Sequence, residues 1–482
     1  MQRLNEHAMR LWTRVGTRCM PFADAATDEL PMRRLLRLAL FQVSVGIAMV
    51  LLIGTLNRVM IIELKVPAWL VSVMVGVPLV FAPFRALIGF RSDTHISALG
   101  WRRVPYIWMG TMMQFGGLAV MPFSLIILSG DTHSGPMLGY VSAAIAFLLV
   151  GAGMQITQTA GLALATDLAR PDLRPRVIAL MYVMLLVGMV GAGLVFGRLL
   201  TNFSELRLIQ VIQGAALLTI VLNVTALWKQ EARDTSRGEE VVTRPAFRES
   251  WRAYLAEPGA LRFLVTVGLG TAAFNMQDII LEPYGGEVLH LGVGSTTTLT
   301  AMMAGGMLCA FAYAARAMAA GRDPFRLGGL GVLAGFVGFP AVALAAPVGS
   351  VLLFQFGVAL NGFGAGLFAA GTLAGAMARE RNGEGGLALG AWGAVQATSA
   401  GIAIALGGAI RDLSASGAFG AGLSDAATGY SVVYNVEFVL LFITLAALGP
   451  LVRSGPEPTA TLNSSTPFNA FSAQHAGVRG LP

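Results

Sequence analysis

The chain has 482 residues, of which 55% are hydrophobic and only 12% carry a charged side chain. This charged fraction is about half of that in soluble domains, so the composition excludes an ordinary soluble protein. The formal net charge of +7 would suggest a nucleic-acid partner in a soluble protein, but here we attribute it to membrane topology and expect no nucleic-acid partner.

Hydrophobic stretches of about 20 residues, the length that an α-helix needs to cross a bilayer, run through the whole sequence. They form two sets of six on either side of one polar segment. The pattern predicts an all-α polytopic membrane protein with twelve transmembrane helices in two six-helix bundles. The predicted spans are 38–62, 67–90, 104–129, 137–166, 175–200, 206–228, 261–281, 296–318, 326–346, 350–378, 386–409 and 430–452.

The polar segments divide the chain. We predict an N-terminal segment 1–37, a first bundle 38–228, a linker 229–260, a second bundle 261–452 and a disordered tail 453–482.

Two of these segments have amphipathic patterns. In the N-terminal segment, a basic stripe that includes Arg3 and Arg10 runs beside an apolar one, which suits either a helix on an anionic membrane surface or a solvated tail. In the linker, Trp251, Tyr254 and Leu255 share one helical face, which predicts an amphipathic helix along the membrane.

The positive residues predict the orientation. Of the 33 Lys and Arg residues, 27 lie in the two terminal segments, in the loops after predicted spans 2, 4, 6, 8 and 10, or at the span ends that adjoin these loops. Because positive residues stay on the cytoplasmic side, we expect both termini in the cytoplasm.

Two bundles of six helices joined by a linker indicate a parallel repeat, the arrangement of the major facilitator superfamily. The loop GFRSDTHISALGWRR at 89–103 resembles the loop motif of that superfamily. An aspartate there can pair with arginines or cap a helix, which would latch one conformation; a charged turn that only sets topology is the alternative. The predicted latch consists of Gly89, Asp93, Gly100, Arg102 and Arg103.

Glycine is abundant, with 59 residues, and is concentrated in predicted spans 5, 10 and 11. Small residues let helix backbones approach closely in lipid, so we expect these glycines to serve helix packing. Room for a flat, bulky ligand is the alternative interpretation.

Polar residues within predicted spans are energetically costly and therefore mark candidate sites. Asn275, Asp278 and Glu282 recur at helical spacing on one predicted face, although Glu282 lies near the end where its carboxylate would be hydrated. Asp278 or Glu282 would be a proton-coupling carboxylate in a transporter; alternatively, both pair with Arg58 or Arg85 and only hold the bundle together.

Several longer runs carry a more specific resemblance. They are LFQVSVG at 40–46, GTLNRVM at 54–60, GWRRVPY at 100–106, TQTAGLALATD at 157–167 with RPR at 174–176, QDIILEPYGGE at 277–287 and GAWGAVQ at 390–396. Together these runs resemble the PucC/LhaA family, the bacteriochlorophyll-delivery branch of the major facilitator superfamily in purple phototrophic bacteria.

This resemblance implies an assembly factor for a light-harvesting antenna, with the core antenna slightly favoured over the peripheral one. Its partners would be antenna polypeptides, pigment-synthesis enzymes, the membrane-insertion machinery and the lipid bilayer. Its cargo would be bacteriochlorophyll or a precursor, and no covalent catalysis is expected.

A chlorin magnesium needs one axial base, and all five histidines lie in predicted loops or tails. An amide oxygen, a carboxylate, a backbone carbonyl or water would then supply the base. The best-placed amide candidates are Asn57, Gln155, Gln158, Asn275 and Gln277.

Two other functions remain open at this point. The same fold could serve a proton-coupled transporter of a small solute, or a scaffold that binds antenna helices without touching pigment.

Overall fold

The computed structural model describes residues 27, 30–80, 101–130, 135–170, 173–231, 247–379, 385–416 and 426–453. Within these residues, eleven helices are long and apolar enough to cross a membrane. A further apolar helix, Ala68–Val80, is shorter and runs up to the undescribed residues 81–100. The all-helical membrane fold is therefore confirmed.

We number the helices in chain order. They are α1 (Met32–Glu63), α2 (Ala68–Val80), α3 (Val104–Leu128), α4 (Pro136–Leu168), α5 (Arg174–Leu199), α6 (Glu205–Leu227), α7 (Phe247–Ala256), α8 (Ala260–Glu287), α9 (Val293–Ala319), α10 (Pro324–Val348), α11 (Val351–Ala378), α12 (Gly385–Ala415) and α13 (Ala426–Arg453).

Helix α1 differs most from its prediction. It begins at Met32, before the predicted position 38, and its second part is wound as π-helix at Val50–Leu56 and Val59–Glu63. Such π turns are frequent at functional sites. The basic N-terminal stripe and the tail after Arg453 lie outside the described residues, so the predicted domain boundaries there stay predictions.

The two halves repeat the same packing. In the first half, α1 packs on α5 and α6, while α3 packs on α4 and α6. In the second half, α8 packs in the same way on α12 and α13, and α10 on α11 and α13. This correspondence confirms the predicted parallel repeat.

The halves meet mainly where α5 packs on α9 and α2 packs on α12. These contacts lie toward the side opposite to Met32 and Arg453, which we call the distal face. The side that carries Met32 and Arg453 is the terminal face. Since the second half of α1 also contacts α8 and α9, the distal part of the molecule is one continuous junction.

Glycines make these close approaches possible. A side chain at Gly76 would meet the backbone oxygen of Gly401 at 2.6 Å, and one at Gly197 would meet the Thr298 hydroxyl and the Gly294 backbone. Most glycines of the glycine-rich spans are similarly enclosed, which confirms the packing interpretation. Gly191, Gly390 and Gly393 have open space instead.

The linker contains the predicted helix, α7. Its Tyr254 is buried and joins a cluster with Phe263 and Trp392 of the second bundle. Burial raises the pKa of the Tyr254 hydroxyl, while nearby Arg379 acts in the opposite direction. The apolar face expected to lie along the membrane is therefore covered in large part by α8 and α12.

Two arginines near the start of α1 hydrogen-bond to the backbone that follows the end of α6. Arg34 donates to the Gln230 backbone oxygen at 2.8 Å, and Arg37 donates to the Trp228 backbone oxygen at 2.8 Å. Cations at a helix C-terminus satisfy its unpaired carbonyl groups and its dipole. These arginines therefore have a packing role on the terminal face in addition to any role in topology.

Replacing Gly401 by Leu is expected to destabilise the protein by about 1–3 kcal/mol, the usual range for overpacking. The new side chain would meet the Gly76 backbone oxygen and Leu79, so α2 and α12 would be forced apart. The thermal midpoint of the purified protein measures this effect. Gly393→Leu on the same helix is the matched control, because Gly393 has open space; equal losses in the two variants would contradict the assignment.

Candidate functional site at the junction of the two halves

Helix α8 is broken in its second half. It is α-helical over Ala260–Asn275, forms a 3-10 turn at Met276–Ile279 and resumes as α-helix at Leu281–Glu287. Pro283 accounts for the break, because proline has no N–H to donate to the carbonyl four residues earlier and its ring clashes with that carbonyl. The carbonyl in question is that of Ile279.

Asn57 of α1 satisfies the Ile279 carbonyl from the other half of the molecule. Its side-chain nitrogen donates to the Ile279 oxygen at 2.7 Å and to the Ile53 oxygen of its own helix at 3.0 Å. The Asn57 amide oxygen is buried and has no hydrogen-bond partner among the described residues. The side-chain nitrogen of Asn57 therefore joins the two halves, while its amide oxygen has no described partner.

Glu282 follows the break and faces α9. The Thr300 hydroxyl donates to its carboxylate at 2.5 Å, and Gly54 of α1 leaves room for the same oxygen. The side chain is 1% exposed, so the expectation of a hydrated carboxylate is wrong. The proline break turns Glu282 inward, away from the open end of the helix.

Arg58 was considered as a partner for the α8 carboxylates. It is buried, but its guanidinium pairs with Glu63 at 2.8 Å and donates to the Leu291 backbone oxygen at 3.1 Å. Its charge acts on Glu282 from a distance, but among the described residues its direct ion pair is with Glu63 and not with Asp278 or Glu282. Arg85, the other proposed partner, lies outside the described residues.

The 3-10 turn between Asn275 and Glu282 interrupts the predicted common face of Asn275, Asp278 and Glu282, and the described contacts of the three residues differ. Asn275 donates to the Thr271 carbonyl within its own helix at 2.8 Å. Asp278 is partly buried in the 3-10 turn. Gln277, beside it, accepts a hydrogen bond from Asn361 of α11 at 3.2 Å and donates to the Phe274 carbonyl.

Glu437 of α13 is a site residue that the sequence reasoning missed. Its side chain is 0% exposed, and it interacts electrostatically with Asp278 and with the backbone of Gln277. Neither carboxylate oxygen has a hydrogen-bond partner among the described residues. The signal was present, since Glu437 is an acidic residue in the middle of an apolar span.

A second polar group lies inside the first bundle. Gln158 of α4 faces Gln42 of α1, with the two amide groups 3.5 Å apart. One turn away, the Gln155 amide oxygen is buried and has no partner in the described part of the chain. The five amide candidates therefore fall into two groups: Gln155 and Gln158 in the first bundle, and Asn57, Asn275 and Gln277 around the broken helix.

The distal face carries an ionic network around Arg411 of α12. Arg411 pairs with Glu287 at 2.6 Å and with Asp412 at 2.8 Å. Tyr430 of α13 donates to the same Glu287 oxygen at 2.6 Å. Because Asp412 also accepts the Trp69 backbone N–H at 2.8 Å, this network caps α2 and joins the two halves.

The predicted latch is only partly described. Gly89, Asp93 and Gly100 lie outside the described residues. The backbone N–H groups of Arg102 and Arg103 donate to the Glu231 carboxylate, which caps the start of α3. The Arg103 side chain pairs with Asp167 at 3.0 Å. These contacts lie within the first half, so the role of a latch between conformations stays a prediction.

Comparison with known proteins places the chain in a family. The family model described as PUCC protein matches residues 55–455. Protein PucC of Rhodovulum sulfidophilum is 55% identical over 418 residues, which cover 86% of this chain and 92% of that protein. The chain belongs to the PUCC family, and the resemblance seen in the sequence is confirmed.

Two further relatives come from Rhodobacter capsulatus. An uncharacterized protein in the puhA-bchM intergenic region is 54% identical over 441 residues, covering 90% of this chain and 92% of that protein. The bacteriochlorophyll synthase 44.5 kDa chain is 28% identical over 432 residues, covering 86% and 94%.

Solved structures support the fold. A bacterial homolog of the human lysosomal transporter Spinster, in an inward-facing and unoccupied conformation, superposes with a TM-score of 0.64 at 15% identity, covering 87% of this chain and 96% of that structure. At this identity the likeness shows the fold alone. The major facilitator fold predicted from the two sets of six spans is confirmed.

Removing the Asp412 carboxylate should loosen the distal junction, because α2 loses its cap and Arg411 loses one partner. Capping losses of this kind cost about 1 kcal/mol. Ser72 of α2, which is buried against α12, is the reporter. In a chain whose Cys19 and Cys309 are replaced by Ala, Ser72→Cys should react with a water-soluble maleimide several times faster after Asp412→Ala.

Asp323→Ala is the matched control for this experiment. Asp323 caps α10 by accepting the Arg326 backbone N–H at 2.9 Å, but it lies at the terminal face, away from α2. The labelling rate of the reporter should not change in this variant. An equal increase in both variants would mean that general destabilisation, and not opening of the distal junction, exposes position 72.

Proposed function

We propose that the chain is a membrane assembly factor for a bacterial light-harvesting antenna and that it holds or delivers bacteriochlorophyll for nascent antenna polypeptides. The observation that carries this proposal is membership of the PUCC family over residues 55–455. A relative named as a bacteriochlorophyll synthase chain supports the link to the pigment.

The chemistry of the polar groups is compatible with this cargo. Magnesium prefers oxygen ligands, and the amide oxygens of Asn57 and Gln155 are without hydrogen-bond partners among the described residues. A single neutral amide oxygen binds weakly, which suits a carrier that must release its cargo. Gln277 is less suitable, because its amide oxygen already accepts from Asn361.

The proposal includes location and partners. We infer a multi-pass protein of the bacterial inner membrane with both termini in the cytoplasm, since the described arginines of the terminal face, such as Arg34 and Arg37, are on the side that the positive-inside rule assigns to the cytoplasm. Its partners would be antenna polypeptides, pigment-synthesis enzymes and the insertion machinery.

The client antenna stays a matter for experiment. A slight preference for the core antenna came from overall likeness to one branch of the family. Neither of the two relatives that are 55% and 54% identical to this chain carries a name that states its client, so these relatives favour neither antenna.

A proton-coupled transporter of a small solute is the second candidate function. The transporter fold and the carboxylates of Asp278 and Glu437 near the junction favour it. A scaffold that binds antenna helices without pigment is the third candidate. Affinity purification from phototrophic membranes separates all three: a carrier brings bacteriochlorophyll or its precursor, a scaffold brings antenna polypeptides alone, and a solute transporter brings neither.

Within the carrier proposal, Gln155→Leu should lower co-purified pigment by about an order of magnitude, the effect of losing roughly 1.4 kcal/mol of binding energy. Protein yield should be maintained, since the buried Gln155 amide oxygen has no hydrogen-bond partner among the described residues, whereas replacing Gln158 would strand the buried Gln42 amide. Pigment absorption per mole of protein is the measurement.

Asn435→Leu is the control, because Asn435 is an exposed amide on α13 that bonds only within its own helix. Asn57 is not a suitable test residue. Replacing it strands the Ile279 carbonyl at a cost of about 1–3 kcal/mol, so protein yield would fall together with pigment. Normal pigment content in Gln155→Leu would remove Gln155 from the site.

A further inference from the structure

Buried carboxylates without partners are the least explained groups of this molecule. Glu437 is completely buried, and both of its oxygens lack a hydrogen-bond partner among the described residues. An ionised carboxylate in such a place carries a desolvation penalty of several kcal/mol. A charge of this kind needs a cation, a set of hydrogen-bond donors or a proton.

The surroundings of Glu437 supply no described cation. Helix α13 packs on α8, α10 and α12, and the ionisable groups that face Glu437 are Asp278 of α8 and Tyr434 of its own helix. Tyr434 in turn stacks against Tyr284, with ring centroids 5.6 Å apart. On α12, Arg411 is already engaged by Glu287 and Asp412.

Asp278 differs from Glu437 in its access to the junction. It lies in the 3-10 turn of α8, which contacts α12 and the π-helical part of α1, and it is only partly buried. Glu437 lies behind it inside the second bundle. Two neighbouring carboxyl groups in a low-dielectric environment cannot both be ionised without a large repulsion, so the pair retains a proton.

We propose that Glu437 and Asp278 form a proton-binding site within the second bundle, in which Glu437 holds the proton and Asp278 is its route to the junction between the halves. The Glu437 carboxylate takes up one proton, which passes from solvent through Asp278, and becomes a neutral carboxylic acid; the reverse step returns the proton to the junction and leaves the carboxylate. No other reactant is required.

A metal cation fits this position less well than a proton. Sodium and similar ions need several oxygen ligands at once. The backbone N–H of Gln277 lies toward Glu437 without reaching hydrogen-bond geometry, and an N–H group repels a cation. The proposal is independent of the cargo, because a proton-binding pair is compatible with a carrier as well as with a solute transporter.

Infrared difference spectroscopy of the purified full-length protein tests the proposal. A protonated carboxyl group has a carbonyl stretch that an ionised one lacks. The wild-type protein at neutral pH should show such a band in a dehydrated environment, and Glu437→Gln should remove one component of it. Since glutamine mimics the neutral acid in size and charge, this variant should keep the yield and thermal midpoint of the wild type.

Two further variants assign the band. Glu282→Gln should leave the Glu437 component in place, because Glu282 occupies a different site with Thr300 as its donor. Glu205→Gln, which removes an exposed carboxylate at the start of α6, should leave the whole spectrum unchanged in this region. A band that disappears only in Glu282→Gln would overturn the assignment to Glu437.

Hydrogen–deuterium exchange tests whether the proton reaches Glu437 through Asp278. In heavy water the Glu437 band shifts as its proton is replaced, and Asp278→Asn should slow this shift by about 10²-fold, the scale on which a positioned proton-transfer group acts. An unchanged rate would refute the role of Asp278. Loss of folded protein in Glu437→Gln, or a band that responds to sodium at constant pH, would refute proton binding by Glu437.

Discussion

One missing hydrogen bond organises the junction of this protein. Pro283 cannot donate to the Ile279 carbonyl, and in a bilayer an unpaired carbonyl costs several kcal/mol. Asn57 supplies the missing donor from α1, at 2.7 Å. The carbonyl left unpaired in one half of the molecule therefore accepts a hydrogen bond from a side chain of the other half, so contact between the halves stabilises the break in α8.

The rest of the junction depends on the same arrangement. The break turns Glu282 toward Thr300 and places Asp278 in a tight turn that faces α12 and α1. Glycines at positions 54 and 76 bring the helices close enough for these contacts. Farther toward the distal face, the Arg411 network adds charge-assisted hydrogen bonds, which are stronger than neutral ones. Discontinuous helices at the midplane are a feature by which transporters of this kind form binding sites.

The sequence was a good guide to everything that depends on local pattern. The lengths and the order of the apolar stretches predicted the spans and the repeat, and the glycine-rich spans pack as small residues should. The break in α8 was missed even though Pro283 was visible, because the span was treated as one uninterrupted helix. The common face assigned to Asn275, Asp278 and Glu282 assumed an uninterrupted helix and was wrong for that reason.

Long-range partners could not be derived from the sequence. No local sequence pattern indicates that Asn57 donates to the Ile279 carbonyl, that Arg58 forms its ion pair with Glu63, or that Glu437 lies next to Asp278. Glu437 itself was detectable as a lone acid in an apolar span. Its partner was not, because the relative rotation of α8 and α13 is set by packing and by the 3-10 turn rather than by either segment alone.

The most direct test of the account is the near-infrared absorption of a strain that lacks this chain. If the protein supports antenna assembly, the absorption of one light-harvesting complex should fall strongly while bacteriochlorophyll synthesis continues, and the wild-type chain supplied in trans should restore it. Unchanged near-infrared absorption in the deletion strain would contradict the role in antenna assembly, whatever the purified protein binds.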